Sequence, residues 1–367
     1  MKKIVIESRL VTRNTGITGY FENLLKKLLL IHPENEYILV TDDSEKLKKK
    51  IKFKCKIVEI INKKKYKFQS LSDFVYGTWL FPKYLTTENA DIILSPYYDF
   101  IIPNKYHKKV IITVHDLCYF EYYKIYKIRT VLLAKYFFKQ AIKNSYGIIT
   151  VSETTKNKLK LYCRFLNKDL NIVVCYNAFE NKIIQSKKPN ISERKIKKIL
   201  YAGGFERRKN IDNMFEVFSD LLKINNQVLL IITGNLKYNK QFIQKIKKYK
   251  LDNHVILTGL ITKDELNNLY INEIDCAINL SICEGFGRNN YEAKMFGIPL
   301  LCSDIEINHE IVGDYPFYCD PYDKKNILKN LIKLINCPKH KPLNSVDERF
   351  QLENNFIKFY SLVNELI

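Results

Sequence analysis

Short runs of apolar residues, each ended by polar residues or glycine, recur along the whole chain. They lie at residues 4–6, 37–40, 110–114, 148–151, 199–202, 228–232, 255–257 and 299–302. Runs that are apolar at every position are typical of strands buried on both faces of a parallel sheet. Helical spacing of apolar residues lies between them, for example over residues 20–30 and 211–222. This alternation predicts βαβ units and therefore an α/β fold.

The alternation occurs twice, which predicts two doubly wound, Rossmann-like domains at residues 1–180 and 199–344. Between them, residues 181–198 are polar and charged and contain Pro189, so we predict an interdomain linker there. Residues 345–367 have a helical pattern, and we expect this C-terminal helix to cross back onto the first domain. Two such domains that face each other enclose a cleft at the carboxyl ends of their strands, where ligands bind in such folds.

The charge of the chain favours an anionic partner. Lys and Arg number 60 against 39 Asp and Glu, a formal net charge of +21. Nucleic acid, a membrane surface and phosphorylated substrates all fit this charge. No nucleic-acid-binding motif supports the first of these. The lysine-rich residues 46–67 and the stretch around residues 119–139, which mixes Tyr, Phe, Lys and Arg, predict peripheral docking on anionic lipid, with ordinary solvated lysines as the alternative.

The cysteines and the hydropathy favour a cytoplasmic protein, either soluble or peripheral on the cytoplasmic face of a membrane. The nine cysteines are scattered and form no C-x-x-C pair, which argues against a zinc knuckle and favours a reducing compartment. The first apolar run stops at Glu7 and Arg9, unlike a signal peptide. No stretch reaches the ~18 apolar residues that a membrane-spanning helix needs.

The strongest candidate site follows the strand that ends near residue 280. It contains Glu284, Gly285, Phe286, Gly287 and, at the start of the next helix, Glu292. Glycines let a ligand approach the backbone closely, and a helix N-terminus favours a diphosphate. The two carboxylates can accept hydrogen bonds from sugar or ribose hydroxyls. A plain strand–helix turn with a capping Glu is the simpler alternative, but it leaves the other segments unexplained.

A basic segment follows the strand at residues 199–202. Gly203 and Gly204 end this strand, and Arg208 and Lys209 stand just before a helix. Cations here oppose the helix dipole, which indicates a function, although an ordinary basic helix start is the alternative. Arg and Lys at this point can neutralise a diphosphate as it leaves.

Two weaker candidates lie in the first half of the chain. Gly16 belongs to a glycine-containing loop at residues 14–20, after the first strand. His115 stands at the end of the strand at residues 110–114, where a structural and a functional histidine are both plausible.

Together these segments resemble the retaining glycosyltransferase family 4. Residues 284–299 are similar to its E-x7-E signature, EGFGLPxxEAMxxGxPV, in which Glu284 and Glu292 match the two glutamates. Arg288 and Asn289 stand where Leu and Pro are usual, which alters the edge that faces the sugar.

The other segments resemble further elements of the same family. Arg208 and Lys209 match its basic diphosphate motif in the "RKN" form, whereas Gly204 replaces the Arg of the more common variant. Gly16 resembles the first Gly of the "GIGRY" loop, and His115 resembles the His of the "HD" element. The similarity covers nearly the whole chain and points to bacterial mannosyl- and rhamnosyl-type polysaccharide transferases.

The resemblance implies a GT-B architecture and a retaining hexosyltransferase of surface glycan biosynthesis. A nucleotide-diphosphate sugar would be the donor, bound by the C-terminal domain. A saccharide or lipid-linked saccharide would be the acceptor, bound mainly by the N-terminal domain. We expect no cofactor, and no metal ion, because no D-x-D carboxylate cluster stands near the donor segments.

The resemblance also implies roles for the candidate residues. Glu284 and the backbone of residues 285–287 would face the sugar and phosphates, and Glu292 would bind the ribose. Arg208 and Lys209 would stabilise the leaving diphosphate. His115 would reach the donor sugar, and Gly16 would lie beside the donor phosphates.

Other classes stay open from the sequence. A GT-B-like epimerase or phosphorylase fits the same fold, and a phosphorylase of this kind would need a lysine that carries pyridoxal phosphate. A basic nucleic-acid-binding protein fits the net charge alone.

Overall fold

The computed structural model describes residues 1–13, 16–51, 55–60, 69–164, 170–179, 195–234 and 240–367. The chain divides into two compact units. The first contains residues 1–180 and 347–367, and the second contains residues 181–346. Of the predicted linker, residues 181–194 lie outside the described residues, and the first strand of the second unit begins inside it, at Lys197.

Within the described residues, the first unit is built on a parallel sheet of seven strands. Their bounds are β1 Lys3–Glu7, β2 Glu36–Thr41, β3 Lys56–Glu59, β4 Ile92–Ser95, β5 Val110–Val114, β6 Gly147–Thr150 and β7 Ile172–Val174. The spatial order is β3-β2-β1-β4-β5-β6-β7. The order reverses between β1 and β4, which in doubly wound sheets is where ligands bind at the carboxyl ends of the strands.

Helices cover this sheet. They are α1 Gly16–Ile31, α2 Ser44–Lys50, α3 Gln69–Val75, α4 Phe81–Thr87, α5 Cys118–Glu121, α6 Ile128–Asn144 and α7 Glu153–Tyr162. Since α1 begins at Gly16, the predicted loop at residues 14–20 is wrong in extent: Gly16 and Gly19 lie in the first helical turn. Asn14 and Thr15 are outside the described residues.

The second unit repeats the architecture with a parallel sheet of six strands among its described residues. The strands are β8 Lys197–Ala202, β9 Val228–Thr233, β10 Val255–Gly259, β11 Cys276–Asn279, β12 Leu300–Ser303 and β13 Phe317–Cys319. Their order is β10-β9-β8-β11-β12-β13, so the reversal lies between β8 and β11. The helices are α8 Ile211–Ile224, α9 Lys240–Lys248, α10 Lys263–Asn268, α11 Arg288–Met295, α12 Glu306–Val312 and α13 Lys324–Ile335.

The C-terminal segment returns to the first unit, as predicted. A 3₁₀ turn, Glu348–Phe350, leads into α14, Leu352–Asn364. The Phe179 N–H donates to the Phe350 carbonyl at 2.8 Å. The Tyr176 N–H donates to the side-chain oxygen of Asn355 at 2.6 Å. A Cβ at Gly147 would lie 2.6 Å from the Leu362 side chain, so α14 packs directly on β6.

The prediction of a doubly wound α/β fold is confirmed, since each apolar run named above overlaps one of these strands. The edge strands β3 and β13 lie outside the predicted runs because their partly exposed side chains give a weaker apolar signal. β4 is fully buried, but three apolar residues do not distinguish a strand from a helical turn. Within the described parts of the chain, no helix is long and apolar enough to cross a bilayer.

Arg9, just after β1, is a fully buried cation held by several carboxylates. Its guanidinium contacts Asp99 and lies 3.7 Å from carboxylate oxygens of both Glu7 and Asp73. Its central carbon lies 4.5 Å from the centre of the Tyr76 ring. Burial raises the pKa of Glu7 to about 7, because desolvation outweighs the attraction of Arg9. Glu7 therefore holds a proton in the folded protein at pH values where an unfolded chain would release it.

This burial makes the stability depend on pH. The folded-state pKa of Glu7 is raised, so the proton on Glu7 stabilises the folded protein. This contribution to the free energy of unfolding is fully present below the ordinary carboxyl pKa and is lost as pH rises to about 7. Glu7→Gln keeps a neutral side chain at every pH. We expect the free energy of unfolding of the wild type, relative to Glu7→Gln, to fall across this window by up to about 3 kcal/mol. Urea unfolding of both proteins at a series of pH values measures the difference, and parallel curves would contradict the assignment.

Candidate functional site

Two loops at the switch point of the second unit bring three predicted charged residues together. Arg208 and Lys209 lie in the 3₁₀ turn Arg207–Lys209 after β8, and Glu284 follows β11. One oxygen of Glu284 accepts a hydrogen bond from Arg208 Nη1 at 3.0 Å. The other accepts from Lys209 Nζ. Because β8 and β11 are neighbouring parallel strands, their carboxyl ends meet at one edge of the sheet.

This cluster is largely shielded from solvent, which strengthens its electrostatics. The side chains of Arg208, Lys209 and Glu284 are 17%, 12% and 9% exposed. Burial raises the pKa of Glu284, but Lys209 and Arg208 outweigh it and lower that pKa to about 2. Glu284 is therefore ionised at neutral pH. Arg208 also pairs with the exposed Glu206, so two carboxylates balance the two cations.

Backbone contacts hold the basic turn in place. The carbonyl of Arg208 accepts a hydrogen bond from the Ile282 N–H at 2.8 Å, which ties the two loops together. Asn210 has the left-handed conformation, with φ of 56°, and its side-chain amide donates to the Pro321 carbonyl at 2.7 Å. Asn tolerates this conformation better than most residues, so Asn210 lets the chain turn sharply from the basic cluster into α8.

The turn at residues 285–287 has the geometry expected where a ligand approaches the backbone closely. Gly287 has φ of 76° and stands directly before α11. A Cβ there would be strained and would lie 3.2 Å from the side-chain amide of Asn290. Gly285 and Phe286 are buried, and the phenyl ring lies in the protein interior. Only the backbone of Phe286 is therefore suited to face a ligand. The N-terminus of α11 carries the positive end of the helix dipole, which favours an anion here.

Glu292 occupies a separate position on α11 and is buried. Its Oε1 accepts a hydrogen bond from Nε of Arg288, one turn earlier, at 3.0 Å. Among the described residues its Oε2 is buried without a hydrogen-bond partner. A buried carboxylate oxygen in this state is an acceptor ready for a hydroxyl group. In the sequence, Arg288 stands out only as a departure from the family pattern. Its pairing with Glu292 was not predicted.

A buried chain of amides supports the turn from below. Asn290 donates to the side-chain oxygen of Asn308 and accepts from Asn279, both at 2.8 Å. Ser281 donates to Asn279 at 2.6 Å, and Asn308 donates to the Ser303 carbonyl at 2.7 Å. The neighbouring Asn289 contacts the Ala202 carbonyl at the end of β8. Sequence reasoning missed this network, since single asparagines after strands carry no signal of burial.

His115 lies in the first unit, directly after β5, as predicted. Its Nε2 lies 2.9 Å from the Pro96 carbonyl, which can only accept, so this nitrogen carries the proton. Burial lowers the pKa of His115 to about 4, although the bond to Pro96 opposes the shift. The ring is therefore neutral at neutral pH, and Nδ1 is its acceptor nitrogen. Tyr97 stacks on it with a centroid distance of 6.3 Å.

The predicted residues thus fall into two groups. Gly16 and His115 belong to the first unit, whereas the carboxylates, the basic pair and the glycine turn belong to the second. Gly16 is the first residue of α1. Within the described ranges, no group of three or more His, Cys, Asp or Glu side chains is arranged to hold a metal ion.

Sequence comparisons bear on the same segments. Residues 181–350 match the family "Glycosyl transferases group 1". The O-antigen chain mannosyltransferase RfbU of Salmonella typhimurium is 29% identical over 230 residues, which cover 61% of each chain. An uncharacterized glycosyltransferase of Methanocaldococcus jannaschii is 25% identical over 332 residues, 88% of this chain and 85% of that protein. The match to RfbU therefore spans less than two thirds of its length.

A solved structure supports the fold. Anabaena HepE, in complex with UDP and glucose, has a TM-score of 0.67 at 14% identity and covers 100% of both chains. Such a score at low identity shows a shared architecture, here the GT-B fold of two α/β domains. The fold is therefore GT-B, and residues 181–350, just under half of the chain, are similar to the group 1 glycosyltransferases.

Proposed function

We propose that this protein transfers a hexose-type sugar from a nucleotide-diphosphate donor to a saccharide or lipid-linked saccharide during the synthesis of a surface glycan. The observation that carries the proposal is the cluster in which Arg208 and Lys209 both contact Glu284 at the switch point of the second unit. RfbU is an O-antigen mannosyltransferase and HepE holds UDP and glucose, so both relatives fit a donor of this class.

The basic pair would stabilise the leaving group. When the bond between sugar and diphosphate breaks, negative charge develops on the terminal phosphate. Arg208 and Lys209 are fixed by Glu284 and shielded from water, so little reorganisation is needed when that charge appears. Glu284 would face the sugar carbon, where positive charge develops. We propose transfer with retention of the anomeric configuration.

The remaining candidates would position the donor. The orphan Oε2 of Glu292 would accept a hydrogen bond from a ribose hydroxyl, while Arg288 holds the other oxygen. The N–H groups at the start of α11 would bind phosphate oxygens. Nδ1 of the neutral His115 would accept a hydrogen bond from a hydroxyl of the donor sugar. Gly16 would lie beside the phosphates. We also propose contact with an anionic membrane surface, because a lipid-linked acceptor resides there and the chain carries a net charge of +21.

A panel of UDP, GDP and dTDP sugars tests the proposed function. We expect the protein to bind one nucleoside diphosphate and to release it from the matching sugar donor, slowly with water and faster with an acceptor. NMR of the first product would show whether the anomeric configuration is retained. If no member of the panel binds or turns over, the proposed function is wrong.

Loss of either cation should cut turnover strongly. Removing one preorganised electrostatic donor typically lowers turnover ~10²–10³-fold. We expect this for Arg208→Ala and for Lys209→Ala, with kcat measured well below the unfolding temperature of each variant, because the loss of one partner of the shielded Glu284 also lowers the stability. Arg207→Ala is the matched control, because Arg207 lies in the same turn but is exposed. Equal kcat values for all three variants would remove the basic pair from the mechanism.

The two glutamates should separate in their effects. Glu292→Gln weakens the acceptor for ribose, a charge-assisted interaction of roughly 1.5–3 kcal/mol, so donor and free nucleoside diphosphate should both bind more weakly. Glu284→Gln removes the charge that competes with phosphates for Arg208 and Lys209. It should therefore strengthen the binding of free nucleoside diphosphate. It should also lower kcat, because the charge that would face the sugar carbon is lost. Calorimetry with steady-state kinetics measures both, and weaker nucleotide binding by Glu284→Gln would contradict the competition.

Catalysis should be independent of metal ions, since Arg208 and Lys209 would supply the positive charge that a divalent cation supplies elsewhere. We expect full donor turnover after exhaustive treatment with EDTA. Activity that is lost in EDTA and restored by Mg²⁺ or Mn²⁺ would refute this expectation.

A further inference from the structure

The two carboxylate oxygens of Glu292 are in different states before any ligand binds. Arg288 Nε donates to Oε1 at 3.0 Å, whereas Oε2 is buried without a hydrogen-bond partner among the described residues. The side chains of Arg288 and Glu292 are 26% and 10% exposed, so water screens the pair only partly. A ligand that reaches this carboxylate therefore meets one occupied oxygen and one unoccupied oxygen.

The stability of α11 does not explain the pair. Arg288 is the first residue of the helix and Glu292 lies four residues later, so the two side chains lie on the same side of it. A cation in the first turn opposes the helix dipole, and a base that precedes its acid is the weaker order for such a pair. The contact therefore contributes little to the helix, and its main effect falls on the carboxylate.

The nearest hydroxyl group of the protein does not satisfy Oε2. Tyr270 is fully buried, and burial together with the charge of Glu292 raises the pKa of its hydroxyl well above the ordinary value. This hydroxyl lies 3.5 Å from the Asn289 carbonyl and makes no hydrogen bond to Oε2. Within the described part of the second unit, the donor for this oxygen has to come from the ligand.

We propose that Arg288 makes the nucleotide site recognise one ribose hydroxyl instead of two. A carboxylate with both oxygens available can accept hydrogen bonds from two neighbouring hydroxyls, such as the 2′- and 3′-hydroxyls of ribose. The planar guanidinium occupies the space beside Oε1, so only Oε2 is left to accept. Arg288 is thus a positioning residue that acts through Glu292. The inference rests on the proposed function, because it takes the ribose of a nucleoside diphosphate as the ligand of Glu292.

Calorimetry with three related nucleotides tests the proposal on the wild type. The probes are the uridine, guanosine or ribothymidine diphosphate that the protein binds, and the 2′-deoxy and 3′-deoxy analogues of the same compound. Loss of the hydroxyl that donates to Oε2 should raise Kd at least about ten-fold, because this buried acceptor is again without a partner. Loss of the other hydroxyl should change Kd less than about two-fold. Equal losses with both analogues, or no loss with either, would overturn the proposal.

Arg288→Leu should remove the difference between the two analogues. Both oxygens of Glu292 then become available, so each hydroxyl contributes and the two Kd values should approach each other. Arg288→Lys keeps a cation and a donor at the same position, so it should retain the preference for one hydroxyl. A general disturbance of the fold would weaken all three compounds alike and leave their ratio unchanged. An unchanged ratio in Arg288→Leu would contradict the assigned role.

Lys294→Leu is the matched control, since it also replaces a cation of α11 by leucine. Lys294 Nζ donates to the Val312 carbonyl at 3.2 Å, and the residue lies about 200° around the helix from Glu292. This variant should show the ratio of the wild type, and the same change of ratio as in Arg288→Leu would sink the proposal. If the wild type binds none of the three compounds, the proposed function fails together with this inference. Binding without selectivity between the analogues overturns the inference alone.

Discussion

The contact of one carboxylate with two cations organises the second unit around its switch point. Glu284 follows β11, whereas Arg208 and Lys209 follow β8, and these neighbouring strands end at the same edge of the sheet. A buried carboxylate alone would take up a proton, and two buried cations alone would repel each other. In contact with both cations Glu284 stays ionised, as its low pKa shows. The backbone bond from Ile282 to Arg208 then fixes the loops against each other.

The same contact means that a diphosphate would have to compete with carboxylates in order to bind. Glu284 and Glu206 already neutralise Arg208 and Lys209. An incoming diphosphate would therefore enter a balanced cluster and compete with carboxylates for the cations. Glu206 is exposed and its pairing is weak, so it can be displaced at little cost, whereas the shielded Glu284 would remain close. Competition of this kind would limit ground-state binding and leave the cations available to the transition state.

The sequence predicts those parts of the molecule that repeat a regular pattern. The central strands are apolar at every position, so they stand out, whereas the edge strands β3 and β13 are half exposed and do not. The start of α1 is missed because Gly16 and Gly19 resemble a loop, although the helix accommodates them. Among the site residues, positions after strands are predictable from chain order. Their pairing is not, because the contact of Glu284 with Arg208 joins residues 76 positions apart.

The pairing of Arg288 with Glu292 shows what a departure from a family pattern can do. A leucine at position 288 would leave Glu292 with two buried oxygens to satisfy. Arg288 takes one of them at 3.0 Å and leaves the other without a partner. A single orphan oxygen is costly to the ligand-free protein, since an unpaired buried acceptor loses its hydration, but it is relieved when a hydroxyl donates to it. Because Arg288 also fixes the rotation of the carboxylate, the direction of that acceptor is set before the ligand arrives. The substitution therefore satisfies one buried oxygen of Glu292 and orients the other as an acceptor, which is a gain in preorganisation.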